Sequence, residues 1–99
     1  PSIKPFIPQI VELFKKHEVK DAYLFGSVLT NDFSKNSDVD FIVNFNDNLE
    51  PLDKGQHWWD LYDQIKEKLG REVDIISEKV LKNPIFIEEL NNTKLKIYG

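Results

Sequence analysis

The sequence predicts a mixed α/β (α+β) fold in which a small mixed sheet packs against helices. Two observations carry this prediction. Apolar residues recur at helical spacing in some segments and alternate with a period of two in others, and clusters of turn residues separate these segments. The resulting order is α, β, β, α, β, α, β. A length of 99 residues fits one domain, so we treat residues 1–99 as a single unit.

The first half of the chain contains one predicted helix and two predicted strands. Apolar residues at helical spacing, with prolines only at the start, predict a helix over residues 5–17. A four-residue apolar run over residues 22–25 stops at Gly26-Ser27, which is typical of a buried strand that ends in a tight turn. Residues 38–45 alternate between two faces and predict a second strand with an acidic start.

The second half continues the alternation of helices and strands. Residues 46–55 include a proline, a glycine and several acidic residues, and we expect an exposed loop there. An apolar stripe predicts a helix over 58–69, which a glycine closes. A strand over 72–77 and a short helix over 84–90 follow, and residues 95–98 alternate with lysines as in a protected edge strand.

Composition restricts the classes of function. The formal net charge is -4 and the pI is near 5.1, which argues against a nucleic-acid-binding surface because such a surface needs clustered lysine and arginine. The absence of cysteine excludes thiol chemistry and disulfides. We see no signal peptide and no apolar stretch near the roughly 18 residues of a membrane span, so we expect a cytoplasmic protein without membrane association.

Three aspartates occupy predicted strands, where an unpaired carboxylate is costly to bury. Asp38 and Asp40 are two residues apart and therefore share one face of their strand, and Asp74 lies on a later strand. A divalent cation such as Mg²⁺ compensates such carboxylates and also binds substrate phosphates. Paired metals of this kind serve phosphoryl and nucleotidyl transfer. Gly26 and Ser27, at a strand end, offer backbone and hydroxyl donors to phosphate.

Each of these features also has an ordinary structural explanation. A lone Gly-Ser is usually a turn, an Asp-x-Asp is usually a solvated strand end, and Asp74 alone could lie on an amphipathic edge. For Trp58, which falls on the apolar stripe of its helix, we favour core packing over a binding role. Trp59 lies off that stripe, so exposure there would indicate an interface.

The ordered combination resembles a known family. Gly26-Ser27, a gap of ten residues, Asp38-Val39-Asp40 and a third aspartate at Asp74 resemble the signature of the polymerase-beta-type nucleotidyltransferases. The short chain resembles their minimal nucleotidyltransferase (MNT) subgroup over nearly its whole length. The resemblance implies a polymerase-beta-like fold and transfer of a nucleoside monophosphate, AMP in our interpretation, from a nucleoside triphosphate to a hydroxyl group.

The resemblance also implies roles for individual residues. Asp38 and Asp40 would hold two Mg²⁺ ions, and Asp74 would bind the catalytic ion and help to deprotonate the acceptor. Ser27 would contact the terminal phosphates of ATP, while Gly26 keeps the turn open. Members of this subgroup commonly act as antitoxins that adenylylate a tyrosine of a HEPN-domain toxin, which supplies a candidate partner and acceptor.

One departure from the family pattern keeps a second hypothesis open. The basic residue that many members carry soon after Gly-Ser is absent from the run Val28-Leu29-Thr30-Asn31. The alternative function is therefore a nucleotidyltransferase fold with weak or no catalysis that neutralises a partner protein by occlusion. The sequence leaves the nucleotide, the acceptor and the oligomeric state open, a homo-oligomer included.

Overall fold

The computed structural model describes residues 3–26, 38–78 and 82–99, and in them the elements follow the predicted order. The helices are α1 (Ile7–Lys16), which one 3-10 turn at Lys4–Phe6 precedes, α2 (Pro51–Leu69) and α3 (Pro84–Thr93). The strands are β1 (Val19–Phe25), β2 (Val39–Phe45), β3 (Val73–Ile76) and β4 (Leu95–Tyr98).

These four strands form one mixed sheet in the order β3-β2-β1-β4. β1 runs antiparallel to both β2 and β4, whereas β2 and β3 are parallel. In this register Phe25 lies opposite Asp40, and Asp40 lies beside Asp74 on the neighbouring strand. The predicted mixed sheet with helices against it is confirmed, and so is the position of β4 at an edge.

The hydrophobic core lies between the sheet and the helices α1 and α2. β2 supplies alternate side chains to it, as its period of two predicts, and the buried faces of the two helices meet them. Phe14 of α1 packs edge-on against Phe41 of β2, with ring centroids 6.3 Å apart. The side chains without solvent exposure include Ile10, Phe14, Ala22, Val39, Phe41, Leu61 and Ile65.

The predicted loop over residues 46–55 was partly wrong, because α2 already begins at Pro51. Proline at the first helical position removes an N–H group that would have no partner there, so it starts a helix as readily as it breaks one. Asp53 in the first turn complements the positive end of the helix dipole. Gly55 is exposed and is tolerated inside the helix at a cost of about 1 kcal/mol. The helix ends as predicted at Gly70, which has φ +65°.

His17 lies at the end of α1, as expected, but its side chain is buried and only 4% exposed. Its Nδ1 atom lies 3.1 Å from Nδ1 of His57, and its Nε2 atom lies 3.2 Å from Oε1 of Gln64, both on α2. These contacts join the two helices that cover the core. None of the helices in the described ranges is long and apolar enough to cross a membrane.

Candidate active site

The face of the sheet that points away from α1 and α2 carries two of the predicted aspartates. Alternation along β2 places Asp40 on this face, because Val39 and Phe41 on either side of it are buried in the core. β3 follows the same pattern, with Asp74 exposed between the buried Val73 and Ile75. Since Asp40 and Asp74 are register partners on parallel strands, their backbones are about 4.8 Å apart.

Gly26 closes this site on the β1 side. It follows Phe25, the register partner of Asp40, and has φ +80°, a conformation that glycine adopts without strain. A Cβ atom at this position would lie 2.5 Å from Oδ2 of Asp40. The bare backbone of Gly26 therefore allows the Asp40 carboxylate to lie directly against the turn that ends β1.

The surroundings of Asp40 disfavour the charged form of its carboxyl group. Burial, followed by the negative charges of Asp74 and Asp38, raises the pKa of the Asp40 carboxyl above its ordinary value. The site thus brings negative charges close together on one face of the sheet.

The remaining predicted site residues are less closely placed. Asp38 is exposed and lies just before β2, outside the strand ladder, although its charge still acts on Asp40. Ser27 lies outside the described residues. No three His, Asp or Glu side chains of the described ranges lie together in a group that could hold a metal ion. The structure thus pairs Asp40 with Asp74 and leaves the three-aspartate ligand set as a prediction.

The chemistry of the donors nevertheless fits Mg²⁺. Carboxylate oxygens are the ligands that this ion prefers, and it typically takes one or two of them together with substrate phosphates. Burial and, after it, the charges of Asp74 and Asp38 raise the pKa of the Asp40 carboxyl, and a bound cation would favour the charged form. Asp40 and Asp74 would hold such an ion, and Asp38 as a further ligand stays a prediction.

The opposite end of the same sheet face contains a polar network that the sequence analysis missed. Nδ2 of Asn44 donates to Oδ1 of Asp21 at 2.7 Å and to Oε1 of Glu78 at 3.3 Å. Oδ1 of Asn44 accepts from the backbone N–H of Glu78 at 3.2 Å and from the Ser77 hydroxyl at 3.4 Å. One amide thus ties β1, β2 and the end of β3 together.

Lys94 extends this network to the segment between α3 and β4. Its Nζ atom lies 3.2 Å from Oε1 of Glu78 and 4.3 Å from the centre of the Tyr23 ring. The Lys94 side chain is only 17% exposed, so both contacts are partly shielded from water. The only sequence signal for this network was that Asn44 and Asp40 share one face of β2.

Comparison with known proteins gives a consistent result. The family model described as "Polymerase beta, Nucleotidyltransferase" matches residues 8–99. A protein of Methanocaldococcus jannaschii that is provisionally named a protein adenylyltransferase is 31% identical over 86 residues, which cover 79% of this chain and 84% of the relative. A second protein of that organism with the same provisional name is 29% identical over 89 residues, which cover 90% of each chain.

Solved structures share the fold. A structure provisionally described as a minimal nucleotidyltransferase superposes with a TM-score of 0.73 at 26% identity, over 94% of this chain and 90% of the other. A toxin-antitoxin structure with AMP-PNP gives a TM-score of 0.71 at 21% identity, over 94% and 73% of the two chains. A complex of a tri-AMPylated Shewanella oneidensis HEPN toxin with its MNT antitoxin gives 0.66 at 18% identity, over 97% and 71%.

Proposed function

The chain belongs to the polymerase beta nucleotidyltransferase family and is an enzyme of that class, and from this premise we propose that it transfers AMP from ATP to a protein hydroxyl with the help of Mg²⁺. The single observation that carries the proposal is the direct pairing of Asp40 with Asp74 beside Gly26. This arrangement places carboxylate oxygens, which are ligands that Mg²⁺ prefers, directly against the bare backbone turn at Gly26.

In the proposed reaction the acceptor hydroxyl oxygen attacks the α-phosphorus of ATP. A new P–O bond forms to the acceptor, the bond to the β-phosphate oxygen breaks, and pyrophosphate leaves. Asp74 is an exposed carboxylate, and we assign it to accept the proton of the attacking hydroxyl. Bound Mg²⁺, two ions in our proposal, would offset the negative charge of the phosphates. Gly26 and Ser27 would bind the terminal phosphates.

For the acceptor we propose a tyrosine of a helical HEPN-domain toxin, so that the chain acts as an antitoxin in the cytoplasm. The relatives named for protein adenylylation and the HEPN toxin complexed with an MNT antitoxin support this choice. A macromolecular acceptor also suits a small domain, because such an acceptor brings its own binding surface.

The test is a transfer assay with ATP that carries a radioactive α-phosphate. The purified chain is incubated with Mg²⁺ and the protein encoded by the neighbouring gene, in parallel with the Asp40→Asn and Asp74→Asn variants. We expect labelled acceptor with the parent chain only, and phosphodiesterase treatment should release the label as AMP. The other three nucleoside triphosphates, labelled in the same way, test the choice of base.

A second function stays open because the run Val28-Leu29-Thr30-Asn31 lacks the usual basic residue. In that case the chain would neutralise its partner by binding alone. The same variants separate the two functions. If Asp40→Asn and Asp74→Asn still form the complex and suppress the toxicity of the partner, while no chain transfers label, then occlusion is the function.

A further inference from the structure

The outer face of α2 carries an apolar stripe that the fold does not use. Leu52 is 89% exposed and Trp59 is 60% exposed. They lie seven residues apart, which is two helical turns or about 10 Å along one side of the helix. Between them lies the exposed Gly55. We define Leu52, Gly55 and Trp59 as the outer stripe of α2.

The outer stripe is rigid at Trp59. The indole of Trp59 packs edge-on against Trp58 at 4.9 Å and contacts Tyr62 at 6.1 Å, measured between ring centroids. Trp58 is fixed in turn, since its Nε1 atom donates to the backbone oxygen of Ile75 at 3.1 Å. An exposed tryptophan held in this way loses little conformational entropy when a partner covers it, as is typical of interface anchors.

Gly55 provides a recess between the two apolar side chains. A Cβ atom at Gly55 would find no neighbour within 4 Å, so packing inside the described part of the chain does not require this glycine. The cavity of about 260 Å³ that Gly55 borders lies toward the sheet, because Asn44, Phe45, Lys54, Trp58 and Ser77 also line it. On the outer side, the missing side chain of Gly55 leaves a gap between the projecting Leu52 and Trp59, which is the alternation of side chain and hole by which helices pack together.

A row of carboxylates runs beside the outer stripe. Asp53, Asp60 and Glu67 recur every seven residues and therefore lie on one side of the helix. Asp53 directly follows Leu52 in the sequence, and Asp60 directly follows Trp59. Asp63, four residues after Trp59, adds a further exposed acid. Two cations also lie near the stripe: Lys54 lines the cavity beside Gly55, and the Nζ atom of Lys66 pairs with Oε1 of Glu72 at 2.9 Å. The four carboxylates outnumber these two lysines, so the surroundings of the stripe are acidic on balance.

We propose that the outer stripe of α2 docks a basic amphipathic helix of the protein that carries the acceptor hydroxyl. Charge complementarity selects this occupant, because lysines or arginines beside its apolar face would meet the acidic row. A second copy of this chain fits less well, since antiparallel pairing of two α2 helices would set one acidic row against the other. The proposal rests on the proposed function for the existence of such a partner.

The position of the outer stripe separates docking from chemistry. α2 covers the core face of the sheet, whereas Asp40 and Asp74 lie on the opposite face. In addition, the cavity beside Gly55 lies at the ends of β2 and β3 that are remote from the aspartates. Changes to the outer stripe should therefore weaken binding without touching the groups that transfer AMP.

The test uses two synthetic helical peptides that share one leucine stripe, one with lysine beside it and the other with glutamate. Binding to the full chain is followed by fluorescence anisotropy of the labelled peptide. We expect the lysine peptide to bind, and its affinity should fall as the salt concentration is raised. Trp59→Ser or Leu52→Ser should lower this affinity at least about tenfold. Ile85→Ser is the matched control, because Ile85 is 77% exposed but lies on α3.

Charge reversal tests the acidic row. Asp60→Lys combined with Glu67→Lys should transfer the preference to the glutamate peptide, whereas Glu88→Lys with Glu89→Lys changes net charge equally on α3 and should not. Thermal melts confirm that each variant folds. Equal binding by Trp59→Ser and the parent chain would overturn the proposal, and so would self-association of the parent chain that Trp59→Ser abolishes.

The outcomes also separate this proposal from the proposed function. Label transfer to the acceptor without peptide preference would refute the docking face and leave the function intact. Peptide preference that depends on Trp59, without label transfer, would support the docking face and refute the transferase assignment.

Discussion

The two ends of one sheet face differ in how their polar side chains are paired. At one end Asp40 and Asp74 lie side by side, and burial followed by like charge raises the pKa of Asp40. At the other end the Asn44 amide binds Asp21 on β1 and Ser77 and Glu78 just after β3, and Lys94 pairs with Glu78. The difference suits a stabilising role for the Asn44 network, and at the acidic end it suits the cation that we propose for the aspartate pair.

The largest effect is expected at the acidic end. Asp74→Asn keeps the size of the side chain but removes the carboxylate that we propose as proton acceptor, and we expect AMP transfer to fall by about 100-fold or more. Initial rates of label transfer measure this effect. Asn44→Ala serves as the comparison at the other end and should retain AMP transfer in proportion to its folded fraction. Equal losses of transfer rate in both variants would show that the two ends do not differ in their role.

Substitution in the turn beside Asp40 should have the next largest effect, on the free energy of unfolding. Gly26→Ala forces a Cβ atom into φ +80° and to 2.5 Å from Oδ2 of Asp40, which we expect to lower the free energy of unfolding by about 2–3 kcal/mol. Gly70→Ala is the control, because Gly70 has φ +65° but no atom within 4 Å of the added Cβ. Urea denaturation should show the smaller loss for Gly70→Ala, and Asp40→Ala should relieve part of the Gly26→Ala loss.

At the polar end, removal of Asn44 should affect stability. Asn44→Ala deprives the backbone N–H of Glu78 and the Asp21 carboxylate of partners, and we expect a loss of about 1–2 kcal/mol in the free energy of unfolding. Chemical denaturation measures this loss, with Asn92→Ala on the exposed side of α3 as control. A variant as stable as the parent would show that the network contributes nothing to the sheet.

The smallest effect concerns the charge of Asp40. Its pKa is raised on folding, so the folded state binds more protons than the unfolded state as pH passes above 3.8. Stability contributed by this group is therefore lost as pH rises through its folded pKa. With a chelator present at neutral pH, the free energy of unfolding of Asp40→Asn, measured by urea denaturation, should exceed that of the parent chain by on the order of 0.5 kcal/mol.

The pH dependence supplies the control for that prediction. Well below pH 3.8 the Asp40 carboxyl is protonated in both states, and the difference in stability between Asp40→Asn and the parent should shrink. An advantage of Asp40→Asn that stays constant from acid to neutral pH would mean that charge is not its cause.

Much of the fold followed from local patterns in the sequence. The order of elements, the faces of β2 and β3 and the end of α2 at Gly70 depend on apolar period and on one glycine, which the sequence displays directly. The start of α2 was misplaced because Pro51 serves equally well as a loop residue and as a first helical residue.

Local sequence patterns predict only part of the site. The pairing of Asp40 with Asp74 agrees with an expectation from strand faces, but its register depends on the alignment of strands that lie 34 residues apart. Asn44 and Glu78 meet, and His17 is buried against His57, only after the tertiary fold has formed. No local pattern in the sequence encodes these contacts.

The most direct measurement of the central claim is AMP transfer by the Asp40→Asn variant, with its free energy of unfolding determined on the same preparation. We expect the variant to be at least as stable as the parent chain and to transfer no label to the acceptor. A variant that transfers label at the rate of the parent chain would contradict the claim that the aspartate pair exists for the reaction.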